Sequence, residues 1–184
     1  MARDAAQSNT EPATATGVVR TTQRLLLRRL TLDDAPFIVE LLNDPDWLRF
    51  IGDKGVRTQD DARNYLRKGP LAMYEREGFG LYLTEIKDGH IPIGMCGLIK
   101  RDSLEDVDIG FAYLPAYRTQ GYALEAAAAV LAHGRSDFGL MRIVAITSPD
   151  NVRSGVLLEK LGMTLEKTVK LDARDEVRLY ASNG

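Results

Sequence analysis

Residues 118–123, Arg118-Thr119-Gln120-Gly121-Tyr122-Ala123, set a cation and two residues of little bulk between a strand pattern and a helix pattern. The first turn of a helix carries N–H groups with no intrahelical partner, and the helix dipole adds partial positive charge there. Gly121 and Ala123 would let an anion approach the backbone closely, and Arg118 would add a full charge. The chemistry such a loop serves is the holding of a phosphate. Taken alone, the segment reads first as an ordinary strand-to-helix turn. Three carboxylates accompany it: Asp106 and Asp108 entering the strand, and Glu85 on a neighbouring strand. A carboxylate in such a place can take a proton from an amine. Cys96 falls inside a strand pattern, and no Cys/His pairing or metal-ligand spacing is present, so no metal is expected. His90 sits beside a turn and reads as solvent-exposed, and His133 on a helix reads as structural. The lack of a Gly-x-x-x-x-Gly-Lys-Ser/Thr loop argues against a nucleotide-phosphate hydrolase.

The elements that must position these residues follow from period and punctuation. Asp108, Gly110 and Ala112 alternate with Ile109, Phe111 and Tyr113, and Pro115 ends that strand. Leu124, Ala127, Ala128 and Leu131 then fall on one helical face. A strand over 142–147 completes a strand–helix–strand unit, which implies a parallel pair with a right-handed crossover. Upstream, 24–30 reads as a strand, and Phe37, Ile38, Leu41 and Leu42 give the next helix a buried stripe. The stretch 46–55 is irregular. Thr58 caps a helix that runs to about Glu77 and is bent or interrupted at Gly69-Pro70. Strands over 79–87 and 91–100 flank an Asp88-Gly89 turn. A helix over 149–161 ends at Gly162, and a last hairpin turns around 172–175. The fold class is α/β: a mixed, mostly antiparallel sheet of about seven strands, with a central parallel pair and helices on both faces. Residues 1–19 read as a disordered tail and 20–184 as a single domain.

Composition narrows the class further. A chain of 184 residues, 45% apolar and 27% charged, suits one well-buried globular core. A net charge of −2 gives no support to a nucleic-acid partner. No apolar run approaches the about 20 residues that span a bilayer, so no membrane partner is expected. One cysteine makes no internal disulfide, which fits a cytoplasmic location.

The six-residue loop fits the pattern Arg/Gln-x-x-Gly-x-Gly/Ala and resembles the acetyl-coenzyme A pyrophosphate loop of the GNAT N-acetyltransferase superfamily. The resemblance extends to Ile109-Gly110-Phe111, Pro115, Tyr117 and Glu125-Ala126, and to 138–143. It also takes in Asn151 and Ser154 through Met163, and 22–28 with Asp33-Asp34-Ala35. It covers roughly residues 20 to 182 and is similar to the branch of the ribosomal-protein N-terminal acetyltransferases.

This resemblance implies an acetyl-CoA-dependent N-acetyltransferase acting on a primary amine, either a protein N-terminus or a small molecule. A polyamine or aminoglycoside acetyltransferase and a non-catalytic acyl-CoA sensor stay open as alternatives, as do a monomer and a homodimer. It implies that the pantetheine arm lies between two splayed strands, against the main chain of Phe111, Ala112 and Tyr113. Arg118, Thr119, Gln120, Gly121, Tyr122 and Ala123 would hold the diphosphate, with Asn151 and Ser154 beside the cofactor. Asp108 is the expected base, at a position where the branch usually has Glu. An oxyanion would meet an N–H near Phe111 or Ala112, freed by a bulge at Gly110. The tyrosine that many members use as proton donor is replaced by Leu158, which leaves Ser154.

Overall fold

The computed structural model describes residues 17–171 and 176–183. The expected turn at 172–175 lies outside them. One sheet organises these residues. Its strands are β1 (Val18–Thr21), β2 (Leu25–Arg29), β3 (Leu81–Ile86), β4 (Ile91–Ile99), β5 (Asp108–Tyr113), β6 (Arg142–Thr147), β7 (Thr164–Lys170) and β8 (Glu176–Asn183). They lie in the order β1-β2-β3-β4-β5-β6-β8-β7. Every neighbouring pair is antiparallel except β5 and β6. Eight strands stand where about seven were expected. The addition is β1: Val18 and Val19, placed in a tail by their polar surroundings, belong to a strand that pairs with β2.

Helices cover both faces. On one lie α1 (Ala35–Leu42), α2 (Pro45–Phe50) and α3 (Gln59–Leu66); α4 (Ala72–Glu77) follows, with its Tyr74 stacked on Tyr82 in the core of the other face. On the first face Phe37, Ile38, Leu41 and Leu42 of α1 pack with Trp47, Leu66, Leu83 and Met95. Capping boxes start this layer: Asp34 reaches back to Thr31, and Asp61 to Thr58. Between α3 and α4 the interruption at Pro70 is a π-helical turn over Arg67–Leu71. Proline has no N–H for the regular ladder, and the wider turn accommodates that loss.

The opposite face carries α5 (Tyr122–Phe138), which packs Ala126, Ala127, Val130 and Leu131 on Leu27, Ile93, Leu98 and Ile143. Ala128, expected in the stripe, is exposed. α6 (Val152–Lys160) follows β6 and buries Leu158. No helix among the described residues is long and apolar enough to cross a membrane.

His133 is buried in α5, with Nε2 3.2 Å from the Tyr82 hydroxyl. Its Nδ1 lies 3.1 Å from Asp137 Oδ2 without hydrogen-bond alignment. Burial and the charge of Arg20 push its pKa down, against the pull of Asp137. The folded chain therefore binds less proton at this site than the unfolded chain. Stability present above the unfolded value of about 6.5 is lost as pH falls towards the folded value. A His133→Gln variant should show a shallower loss of stability between pH 7 and 5, measured by urea unfolding at each pH.

β4 also tolerates no side chain at Gly97. A Cβ on Gly97 would lie 2.0 Å from the Gly80 carbonyl oxygen and 2.6 Å from Leu81 Cα. Both obstacles are backbone. Gly97→Ala should cost about 3 kcal/mol in chemical denaturation, and a change within error would show that the β3–β4 approach can relax.

Candidate active site

The site begins where the sheet opens. Parallel β5 and β6 share one register pair, Asp108 with Val144, and the Val144 N–H donates to the Val107 carbonyl at 3.0 Å. Beyond that point they part. On its other side β5 stays paired with β4 without a register break from Asp108 to Tyr113. The expected bulge at Gly110 is therefore absent. A Cβ on Gly110 would sit 2.8 Å from Ile99 Cδ1, the end of a side chain that can turn aside. The main chain of Phe111 is freed by the splay instead. Val107 faces β6, and the Leu114 N–H bonds the Ile93 carbonyl on the β4 side at 2.9 Å. Alternation then directs Ile109, Phe111 and Tyr113 main-chain groups into the gap and Ala112 towards β4.

The loop leaves β5 through a 3-10 turn at Pro115–Tyr117 and enters α5 at Gly121. Gly121 caps the helix with φ +82° and no side-chain hydrogen bond, so the first-turn N–H groups have no internal cap. Thr119 also sits in the left-handed region, at φ +61°. Polar groups of the loop turn back to the scaffold: the Gln120 amide donates to the Ala116 carbonyl at 2.7 Å. Arg24 donates to the Gln120 carbonyl at 3.0 Å and to Glu125 at 2.7 Å, and stacks over the Tyr122 ring at 4.4 Å. Burial works against the Glu125 charge. Hydrogen bonds from Thr22 and Arg24 outweigh it and hold this carboxyl below its ordinary range.

Arg118 does not stand free beside the loop. Its guanidinium pairs with Asp44 and with Asp46, the latter at 2.6 Å, and its Nε donates to the Tyr113 carbonyl at 2.8 Å. Asp46 also pairs with Arg153 at 2.6 Å. The loop after β5, α2 and the start of α6 are thus joined by one ionic network.

Of the candidate bases, Asp108 is buried and accepts from Arg101 Nε at 2.9 Å. Asp106 pairs with Arg142 at 2.9 Å. Glu85 pairs with Arg28 at 2.8 Å and His90 at 3.2 Å, and does not reach the cavity. Asn151 caps α6: its Oδ1 accepts from the Ser154 N–H at 3.2 Å. Ser154 is half-buried. Leu158 is turned into the core. Cys96 is fully buried, and burial pushes its thiol pKa well up, so it is no nucleophile.

One cavity of about 900 Å³ takes in part of these groups and leaves out Glu85, Asp106 and Cys96. Asp108, Phe111, Ala112, Tyr113, Arg118, Thr119, Gly121, Ala123, Asn151 and Ser154 line it; Gln120 and Tyr122 do not. Tyr65, Arg101 and Tyr117, which no sequence pattern marks as site residues, also line it. Burial pushes the Tyr65 hydroxyl up to about 12 despite the nearby charge of Arg101, so it keeps its proton at neutral pH. Arg24 is unmarked as well. Its partners Gln120 and Glu125 are about a hundred residues away, which no local pattern reports.

Residues 24–164 match the family model described as acetyltransferase (GNAT) domain. The chain is 31% identical over 146 residues to the uncharacterized N-acetyltransferase YnaD of Bacillus subtilis (strain 168), covering 79% of this chain and 82% of that protein. Its fold is similar to a GNAT-family acetyltransferase from Bacillus anthracis, with TM-score 0.74, 28% identity and coverage of 89% and 96%. RimL, the ribosomal L7/L12 alpha-N-protein acetyltransferase solved in complex with coenzyme A, has the same fold. There the TM-score is 0.77, the identity 19% and the coverage 90% and 97%.

The ionic network can be tested apart from any ligand. Arg118→Gln leaves Asp44, 6% exposed, without its guanidinium. Removing one partner of a buried pair should lower stability by about 3 kcal/mol. Urea unfolding reads this directly, and unchanged stability would mean that Asp44 finds water instead.

Proposed function

Because this chain belongs to the GNAT acetyltransferase family, we propose that it uses acetyl-coenzyme A to acetylate a primary amine. One observation carries this reading. The splay of β5 from β6, the uncapped start of α5 and a buried carboxylate open into a single cavity. The residues fit the donor: Gly121 and Ala123 leave the α5 N–H groups approachable for phosphate, and the Phe111 main chain edges the gap. Acetyl-coenzyme A, when bound, supplies the acetyl thioester.

The protein's own groups divide the remaining work. Asp108 accepts a proton from the incoming ammonium, while Arg101 holds that carboxylate in place through Nε. The Phe111 N–H, aimed into the gap, is the donor fixed for developing negative charge. Ser154 Oγ holds a proton on the opposite wall, and the protonated Tyr65 hydroxyl is a second source. A protein N-terminal α-amine is the acceptor that the branch resemblance favours. A purely sensing role is disfavoured, since the cavity continues past the gap to Asp108 and α2.

Acetyl-coenzyme A at a hundredfold its Kd should stabilise the protein by about 2.7 kcal/mol, seen as a raised melting temperature, with ATP giving a much smaller shift. Equal shifts would point to a general nucleotide site. Asp108→Asn should lower kcat about a hundredfold at neutral pH, remove the acidic limb of the pH–rate profile and recover partly at high pH. Ser154→Ala should lower kcat with cofactor affinity kept; lost affinity with kcat kept would make Ser154 a binding residue. Melting curves of each variant separate these effects from misfolding.

A further inference from the structure

The walls that α2, α3, the π turn and α4 give to the cavity are apolar. Apart from Asp46 of α2 and Lys54 just beyond it, they consist of Trp47, Phe50, Ile51, Gly69, Pro70 and Met73, with the Tyr65 ring. Three carboxylates line the whole cavity, and each already faces a guanidinium. Asp44 pairs with Arg118, Asp46 with Arg118 and Arg153, and Asp108 with Arg101. A polyamine or an aminoglycoside would bring several ammonium groups into this space. Each beyond the first would lose its hydration without an uncommitted carboxylate to replace it.

The apolar wall also has a gap. Tyr65, Gly69 and Met73 all line the cavity at a spacing of four residues, and the wider π turn keeps them on one side. Gly69 adopts no left-handed φ, and a Cβ built on it meets nothing within 4 Å. Glycine eases the helical turn next to Pro70, where a Cβ on the preceding residue is disfavoured. Beyond its chain neighbours nothing fills the place of a side chain there, so open space is left on the wall that Tyr65 and Met73 share.

Resting on the acetyltransferase reading above, we propose that the acceptor is a single primary amine attached within a few atoms to an apolar or aromatic group. Gly69 sets the size of the group admitted. Asp108 meets the amine, and the notch at Gly69 takes its apolar neighbour. The same chemistry is offered by a free arylalkylamine and by an N-terminal residue with an apolar side chain.

The test compares phenethylamine, a peptide with N-terminal Phe, ethylamine and spermidine as acceptors for wild type, Gly69→Ala and Gly69→Leu. Thiol release gives kcat/KM, and calorimetry gives amine binding without turnover. Wild type should prefer phenethylamine or the Phe peptide over spermidine by about tenfold or more, and the better of the two identifies the source. Gly69→Leu should raise KM for that acceptor about tenfold, with Gly69→Ala in between and ethylamine nearly unaffected. Coenzyme A affinity should stay at the wild-type value, and melting curves confirm that each variant is folded at the assay temperature. Spermidine equal or preferred overturns the acceptor class. A Gly69→Leu effect that is equal for all amines, or absent, overturns the notch. Failure of acetyl-coenzyme A to stabilise the wild type would instead remove the acetyl-transfer reading, and the calorimetric ranking of amines would still decide the class.

Discussion

The site depends on one constraint: a parallel strand pair that meets only at its start. Val144 is bonded to Val107, and beyond Asp108 nothing continues the β5–β6 ladder. Interior strands of a sheet normally bond on both sides, because an unpaired buried N–H or carbonyl is costly. Here β5 keeps one full ladder with β4 and leaves its other edge to the cavity. The outer strands can afford no such gap. β6 is held by β8, and β4 by β3, along nearly their whole lengths. The opening is therefore confined to the middle of the sheet, between elements that are themselves fixed.

Charge placement around the opening follows a different logic from the one expected of a phosphate site. Arg118 was expected to face the ligand, and instead ties the loop to α2 through Asp44 and Asp46. An arginine at 24% side-chain exposure flanked by two carboxylates is electrically balanced where it stands. Attraction for an anion is then left to the main-chain N–H groups of α5 and their dipole, which need no side-chain charge. The cavity has no excess of negative charge: its three carboxylates each face a guanidinium, and Lys54 and Lys160 line it as well, which disfavours an acceptor with several ammonium groups.

Most of the fold was legible because it is written in local periods. The alternation over 108–113, the buried stripe of α1 and the Gly-Pro interruption all report contacts within one element. The site residues emerged through the loop pattern and the Asn151 and Ser154 segment, and the structure gathers all but Gln120 and Tyr122 on one cavity. Long-range pairing was not legible. β1 was missed because Val18-Val19-Arg20-Thr21 is too short to show a period, and pairing with β2 makes it a strand. The bulge at Gly110 was the wrong way to free an N–H, because strand splay does so without breaking the β4 register. Glu85 looked available from its strand position, but Arg28 and His90 claim it.

The loop itself is held from two sides by residues far apart in the chain. From the N-terminal strands, Arg24 takes the Gln120 carbonyl and, with Thr22, fixes Glu125 in the first turn of α5. From α2, Asp44 and Asp46 take the Arg118 guanidinium. Between these ties lies Thr119 at φ +61°, a conformation that costs a non-glycine residue about 1 kcal/mol or more. Such a residue persists only where its surroundings over-determine it. The Arg118 guanidinium and the Gln120 carbonyl are bonded to other elements, the Thr119 and Gln120 side chains to carbonyls of the same turn, and the first-turn N–H groups of α5 are left towards the cavity. A loop fixed in this way loses little freedom on binding, so more of the interaction with an anion appears as affinity. The strain at Thr119 and the two clamps are parts of one arrangement. The clamps keep the N–H groups aimed at the cavity before any ligand arrives.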